Sequence, residues 1–182
     1  MFPYFPDYQP LPEPTLVGSI DAEILQGGDG ADYILGEGGD DHVDGGFGDD
    51  ILTGGAGSDV VIGGEGNDTL YAQPIPVDYM DGLEDVNVLI GGGGDDRMSG
   101  GTGYDYFAFG DASGYDVITN FDPAKDTIAV ITDVNGTGAQ SAADLALWDT
   151  GWGVIVDFGA GNMVELQWQS AANLSEANFL FI

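Results

Sequence analysis

Seven aspartates carry the first sign of chemistry in this chain. Asp32, Asp41, Asp50, Asp59 and Asp68 follow one another at intervals of nine, and Asp96 and Asp105 repeat that interval after an interruption. Each stands behind a cluster of glycines. A single Asp in such a place is an ordinary solvated turn residue. Seven in one register, beside carbonyls that glycine lets turn inward, make a row of hard oxygen donors. Donors of that kind suit a divalent cation, above all Ca²⁺ with its six to eight oxygen ligands. Catalysis has little to build on. His42 is the only histidine, cysteine is absent, and neither H-E-x-x-H nor G-x-S-x-G occurs. The carboxylates fall where a cation needs them, so no catalytic residue is expected.

The elements that position these aspartates are repeats. From Gly27 the sequence divides into GGDGADYIL, GEGGDDHVD, GGFGDDILT, GGAGSDVVI and GGEGNDTLY, followed later by GGGGDDRMS from Gly91 and GGTGYDYFA from Gly100. Glycine recurs at positions one, two and four, with Glu37 the departure at position two. Position eight is always apolar: Ile34, Val43, Leu52, Val61, Leu70, Met98 and Phe107. Six residues of turn and three of strand send one apolar side chain inward. No repeat can bury it alone, so repeats must stack. With one turn per strand, successive strands lie on opposite sides. Two nonapeptides then make one coil, and turn n sits beside turn n+2. The expected fold is all-β, a right-handed parallel β-roll with a C-terminal antiparallel β cap.

Degenerate repeats extend the array. GSIDAEILQ (18–26) keeps Glu23 at position six and Leu25 at position eight and reads as an N-terminal cap coil. DASGYDVIT (111–119) keeps Asp116 and Ile118. Between them, 72–90 reads as coils that preserve the core and bind calcium weakly or not at all. Asp78 and Asn87 stand there at position six, and Met80 and Leu89 at position eight. A loop excursion is the rival reading, since Pro74 and Pro76 restrict the first turn. The expected organisation is an N-terminal Pro/aromatic extension over 1–17, the roll over 18–120, and a β-rich cap over 121–182. Trp148, Trp152 and Trp168 are expected in core or edge packing rather than on a sugar platform.

Composition narrows the partners. Lys plus Arg number 2 against 32 Asp plus Glu, for a formal net charge of -30. Nucleic acid is excluded as a simple electrostatic partner, and an anionic bilayer is disfavoured. A compact fold with this charge repels itself unless cations neutralise it. No apolar run is long enough to span a membrane. The N-terminus lacks the cationic and apolar regions of a secretory signal peptide, so any export is expected to use a route that does not read it.

The nonapeptide GGxGxDxUx resembles that of the RTX family, the repeats-in-toxin or hemolysin-type calcium-binding proteins, over roughly 18–120. The resemblance implies ligands by position. An upstream turn offers the carbonyls of positions two and four and its aspartate. The turn two repeats later offers the carbonyls of positions one and three and its aspartate. One set joins Gly28, Gly30 and Asp32 to Gly45, Phe47 and Asp50. A second joins Gly46, Gly48 and Asp50 to Gly63, Glu65 and Asp68, so that Asp50 bridges two ions. On the opposite edge, Glu37, Gly39 and Asp41 meet Gly54, Ala56 and Asp59. Asp96 and Asp105 are the metal candidates beyond the interruption. The segment DVITNFDPAKDTI is similar to caps that follow such rolls, and LSEANFLFI to an uncleaved type I secretion signal. These likenesses imply a protein secreted to the exterior or cell surface, folded there by several Ca²⁺ ions and acting as a structural or binding module. Its further partner would be a polysaccharide. The alternative is an accessory subunit docked through residues 1–15 on a larger complex, outside the cytoplasm or on its periplasmic face.

Overall fold

Period-nine spacing leaves each strand room for one inward side chain, and the chain obeys it. The computed structural model describes residues 14–73, 85–131, 139 and 141–182. Sixteen strands follow in order: β1 (Leu16–Val17), β2 (Ile24–Gln26), β3 (Tyr33–Leu35), β4 (His42–Phe47), β5 (Ile51–Thr53), β6 (Val60–Glu65), β7 (Thr69–Tyr71), β8 (Val86–Gly93), β9 (Arg97–Ser99), β10 (Tyr104–Phe109), β11 (Tyr115–Ile118), β12 (Thr127–Val130), β13 (Ala146–Asp149), β14 (Gly153–Gly159), β15 (Asn162–Gln167) and β16 (Phe179–Phe181). Odd strands from β1 to β11 form one parallel sheet and even strands from β2 to β12 the other. Neighbours are two repeats apart: Ile34 pairs with Leu52 and Leu52 with Leu70, while Leu25 pairs with Val43 and Val43 with Val61. This is the expected parallel β-roll.

Position eight fills the space between the sheets. Ile34, Val43, Leu52, Val61, Leu70, Leu89, Met98, Phe107 and Ile118 are fully buried in one continuous core. Each buried aliphatic side chain contributes roughly 1.5–3 kcal/mol relative to exposure. The core runs on into the cap through Ile128, Val156, Val164 and Leu166, with Phe107 against Phe121 and Phe109 against Phe158.

Several boundaries differ from the sequence-based expectation. The first rung begins at Thr15, whose N–H donates to the Tyr33 carbonyl, and β1 pairs with β3. At the other end β12 lies parallel to β10, so the segment after 120 adds a rung before the cap proper. The antiparallel part is β13–β14–β15. It joins the odd sheet because β15 lies parallel to β11, while β16 closes the even sheet, parallel to β12. The even strands β4, β6, β8 and β10 are also longer than three residues. In β4 and β6 the ladder continues through positions one to three of the next repeat, pairing Gly46 with Gly64 and Phe47 with Glu65.

The interruption is resolved by pairing. β6 pairs directly with β8 and β7 directly with β9. GLEDVNVLI (82–90) therefore supplies a rung through its described residues, with Asn87 and Leu89 in register. The coil is 28 residues long where its predecessors take 18. The choice between coil and excursion for QPIPVDYMD falls on residues 74–81, outside the described residues. Asp78 and Met80 lie outside the described residues.

Candidate metal centres

Two kinds of glycine build each turn. At position two the backbone itself demands glycine. Gly46 has φ +102°, and Glu37, the one side chain at that position among the regular repeats, is held at φ +75°. At position one the demand is for space. A methyl group on Gly45 would overlap both the Asp50 carboxylate and the Gly63 carbonyl. The position-six carboxylate thus lies folded over the first residue of its own repeat, inside the turn.

From there the aspartates form two ladders, one along each edge of the roll. In the turns from the even to the odd sheet, the backbone N–H of Asp32 donates to Asp50 Oδ1 at 2.7 Å, Asp50 to Asp68 at 2.8 Å, Asp68 to Asp96 at 2.8 Å and Asp96 to Asp116 at 2.9 Å. In the turns from odd to even, Glu23 donates to Asp41 at 2.9 Å, Asp41 to Asp59 at 2.9 Å, Asp59 to the Asn87 side-chain oxygen at 2.9 Å, and Asp105 to Asp126 at 3.2 Å. One oxygen of each carboxylate is used in this way. The other, on Asp41, Asp50, Asp59, Asp68, Asp96, Asp105 and Asp116, is buried without a hydrogen-bond partner.

Buried carboxylates without partners resist ionisation. Burial is the leading cause throughout, with neighbouring carboxylates adding to it and the backbone N–H donors opposing it. Asp59, Asp68 and Asp105 are pushed up to about 7, Asp96 and Asp126 to about 6, and Asp116 to about 8. Asp41 and Asp50 are raised as well. Ionised at neutral pH, such a ladder needs a cation beside it.

The turns themselves bring carbonyls to the same edges. Phe47 N–H donates to the Gly28 carbonyl at 2.9 Å, and Gly48 N–H to that of Glu65 at 2.8 Å. On the opposite edge, Gly39 N–H donates to Ala56 O at 2.9 Å and Ala56 N–H to Glu37 O at 3.0 Å. The carbonyls of Gly45, Gly54 and Gly63 face the position-one glycines Gly27, Gly36 and Gly45, and that of Gly30 faces Gly48. Turns two repeats apart thus bring these carbonyls to the same edges as the position-six carboxylates. Of these, the carbonyls of Gly28, Glu37, Ala56 and Glu65 keep one lone pair after their hydrogen bond. Among the described residues no three Asp, Glu or His side chains converge on one point. An ion held here would draw most of its oxygens from the backbone. Hard oxygens, paired carboxylates and buried unpartnered Oδ2 atoms together fit Ca²⁺.

Some functional positions escaped the sequence reading. Asp126, which ends one ladder, is one of them; Asn87, already placed at position six, interrupts that ladder. A second, outer row sits at position five: Asp40 accepts from Ser58 N–H at 3.0 Å, Asp49 from Asn67 at 2.9 Å, Asn67 from Asp95 at 2.8 Å and Asp95 from Tyr115 at 2.8 Å. The signal was present as the run of Asp, Ser and Asn just before position six. The tryptophans depart from core packing. Trp152 and Trp168 are each 72% exposed and meet edge to face at 6.3 Å, and Trp148 is also exposed. Trp168 holds a left-handed backbone, φ +64°.

The chain matches the family model of the RTX calcium-binding nonapeptide repeat over residues 17–52, 44–73 and 77–107. No curated protein matches it. Among solved structures it is similar to the AlgE6R2 subunit of the Azotobacter vinelandii mannuronan C5-epimerase, at 31% identity over 73% of this chain and 88% of that one, TM-score 0.49. It also shares the fold of the extracellular lipase LipA of Serratia marcescens at 17% identity and TM-score 0.50, covering 94% of this chain. The chain spans 40% of that lipase's length.

Proposed function

Because the chain belongs, through residues 17–73 and 77–107, to the RTX calcium-binding nonapeptide repeat family, we propose that it is a non-catalytic module whose roll folds as Ca²⁺ enters its two edges, outside the cytoplasm. The observation that carries this is the row of buried second oxygens on Asp41, Asp50, Asp59, Asp68, Asp96, Asp105 and Asp116. Calcium would supply the positive charge that those oxygens lack. The holders would be Gly28, Gly30, Asp32, Gly45, Phe47 and Asp50 at one pair of turns. Gly46, Gly48, Asp50, Gly63, Glu65 and Asp68 would serve the next pair, and Glu37, Gly39, Asp41, Gly54, Ala56 and Asp59 the opposite edge. Binding energy then becomes folding energy. Extracellular calcium modules bind at about 10⁻⁴–10⁻³ M, so the chain would stay unfolded at cytosolic calcium levels.

Circular dichroism of the purified chain with and without chelator tests this reading. Calcium-dependent gain of β-structure is expected; equal β-structure in both refutes it. Export is tested by removing residues 176–182 in a host with a matching transporter. Loss of secretion supports the signal reading, and efficient secretion sinks it. Since β16 pairs with β12, the truncated chain should also melt earlier while still taking up calcium between Gly27 and Asp68.

The exposed Trp152–Trp168 corner favours a second role, contact with a polysaccharide. Aromatic faces held in water offer stacking surface to sugar rings. With a net charge of -30, an uncharged glycan fits better than a polyanionic one. Quenching of tryptophan fluorescence by neutral oligosaccharides, lost in Trp152→Ala and Trp168→Ala, is the expected result. Co-migration of native material with a larger complex in size exclusion would instead favour the accessory-subunit reading.

A further inference from the structure

Asn87 breaks the pattern of the ladder on its edge. It occupies position six and is fully buried. Its Oδ1 accepts from Asp59 N–H at 2.9 Å, as a carboxylate does elsewhere. Its other terminal atom differs. Where seven aspartates carry a buried oxygen without a partner, Asn87 carries an N–H₂ group, and this donates to Asp105 Oδ1 at 2.8 Å. The orientation of the amide is fixed from below, because a flipped amide would set an N–H against the N–H of Asp59. The turn before Asn87 departs in step. Position two is Leu83 and position four is Asp85, where regular repeats have glycine.

We infer that Asn87 closes its rung by hydrogen bonding and takes no cation there, so that this edge is a calcium-binding run up to Asp59 followed by an ion-independent joint to Asp105. The inference rests on the calcium reading above and adds which rung is exempt. A donor in the row removes one carboxylate and partners another, so β8 and β10 register without a bound charge between them. They are paired over five residues, from Val86 with Tyr104 to Ile90 with Ala108. That places a joint independent of calcium on this edge, while the opposite edge continues unbroken through Asp68, Asp96 and Asp116.

Native mass spectrometry of the full chain in calcium tests this directly. Asn87→Asp restores the regular carboxylate and should bind one more ion per chain than wild type, with a higher calcium midpoint for folding. An unchanged ion count in a folded variant overturns the inference. Should Asn87→Asp fail to fold, the wild-type chain decides: slow hydrogen exchange of the Asn87 side-chain amide in calcium is expected, and fast exchange overturns it. A wild-type chain without any bound calcium would instead overturn the calcium reading itself. Calcium uptake by wild type with no gain in the variant would sink only the role given to Asn87.

Discussion

Asp50 holds the backbone N–H of Asp32, one coil below, at 2.7 Å through one carboxylate oxygen, while its other oxygen lies buried over Gly45 without a partner. The first contact is structural and needs no charge. The second position is unfavourable for a carboxylate unless a cation stands beside it.

The two halves of Asp50 separate by substitution. Asp50→Asn keeps an acceptor for Asp32 N–H and removes the charge, so it should raise stability in chelator and reduce the stabilisation calcium adds. Asp50→Ala leaves the Asp32 N–H without its acceptor and should cost about 1–3 kcal/mol in calcium. Thermal melts of both variants, with calcium and with chelator, check the pair. Equal behaviour of Asn and Ala would contradict the division.

Acid should partly replace calcium. Asp59, Asp68, Asp96, Asp105, Asp116 and Asp126 are pushed up to about 6 to 8 from an ordinary 3.8. Their protonated forms therefore favour the folded chain. That contribution is full below about pH 4 and is lost as pH rises through 6 to 8. In calcium-depleted buffer the roll should show more β-structure at pH 4 than at pH 8. With calcium present the trend reverses, because protons then compete for the same oxygens. Circular dichroism across pH in both buffers reads the two slopes.

Gly45 and Gly28 should respond differently to the same methyl group. At Gly45 it would strike the Asp50 carboxylate and the Gly63 carbonyl, whereas at Gly28 it meets nothing within 4 Å. Gly45→Ala should destabilise by about 1–3 kcal/mol and weaken calcium binding, and Gly28→Ala should do little to either. Calorimetric titration with calcium measures both.

Glu37 offers the opposite case, a side chain where the backbone asks for none. Replacing it with glycine relieves the left-handed strain at φ +75°. Glu37→Gly should gain about 1 kcal/mol in melting experiments, with no change in the number of ions bound, since only the carbonyl of residue 37 faces Ala56.

Much of this was legible because the period is rigid. Glycine and aspartate at fixed offsets dictate turn n beside turn n+2, and the apolar residue at position eight dictates the core. Legibility failed where composition mimicked the pattern without its glycines. GLEDVNVLI keeps Asn87 and Leu89 in register, yet its position six holds an amide that hydrogen-bonds on both sides where the regular repeats hold a carboxylate. Asp126 was hidden because it precedes β12 within a segment that had read as cap. Trp148 lies on β13, the edge strand of its sheet, whereas Trp152 and Trp168 stand far more exposed; aromatic content signals burial on average and says little about a residue at the end of a hairpin.

The 28-residue coil has a corollary. Strand pairings, the carboxylate row through Asp68 and Asp96, and the apolar column all continue past it. Loop-closure entropy grows only slowly with length. Coils of two lengths thus join the same pair of sheets, so the number of residues in a coil is set separately from the pairing of its strands, and the strands above keep their alignment with those below.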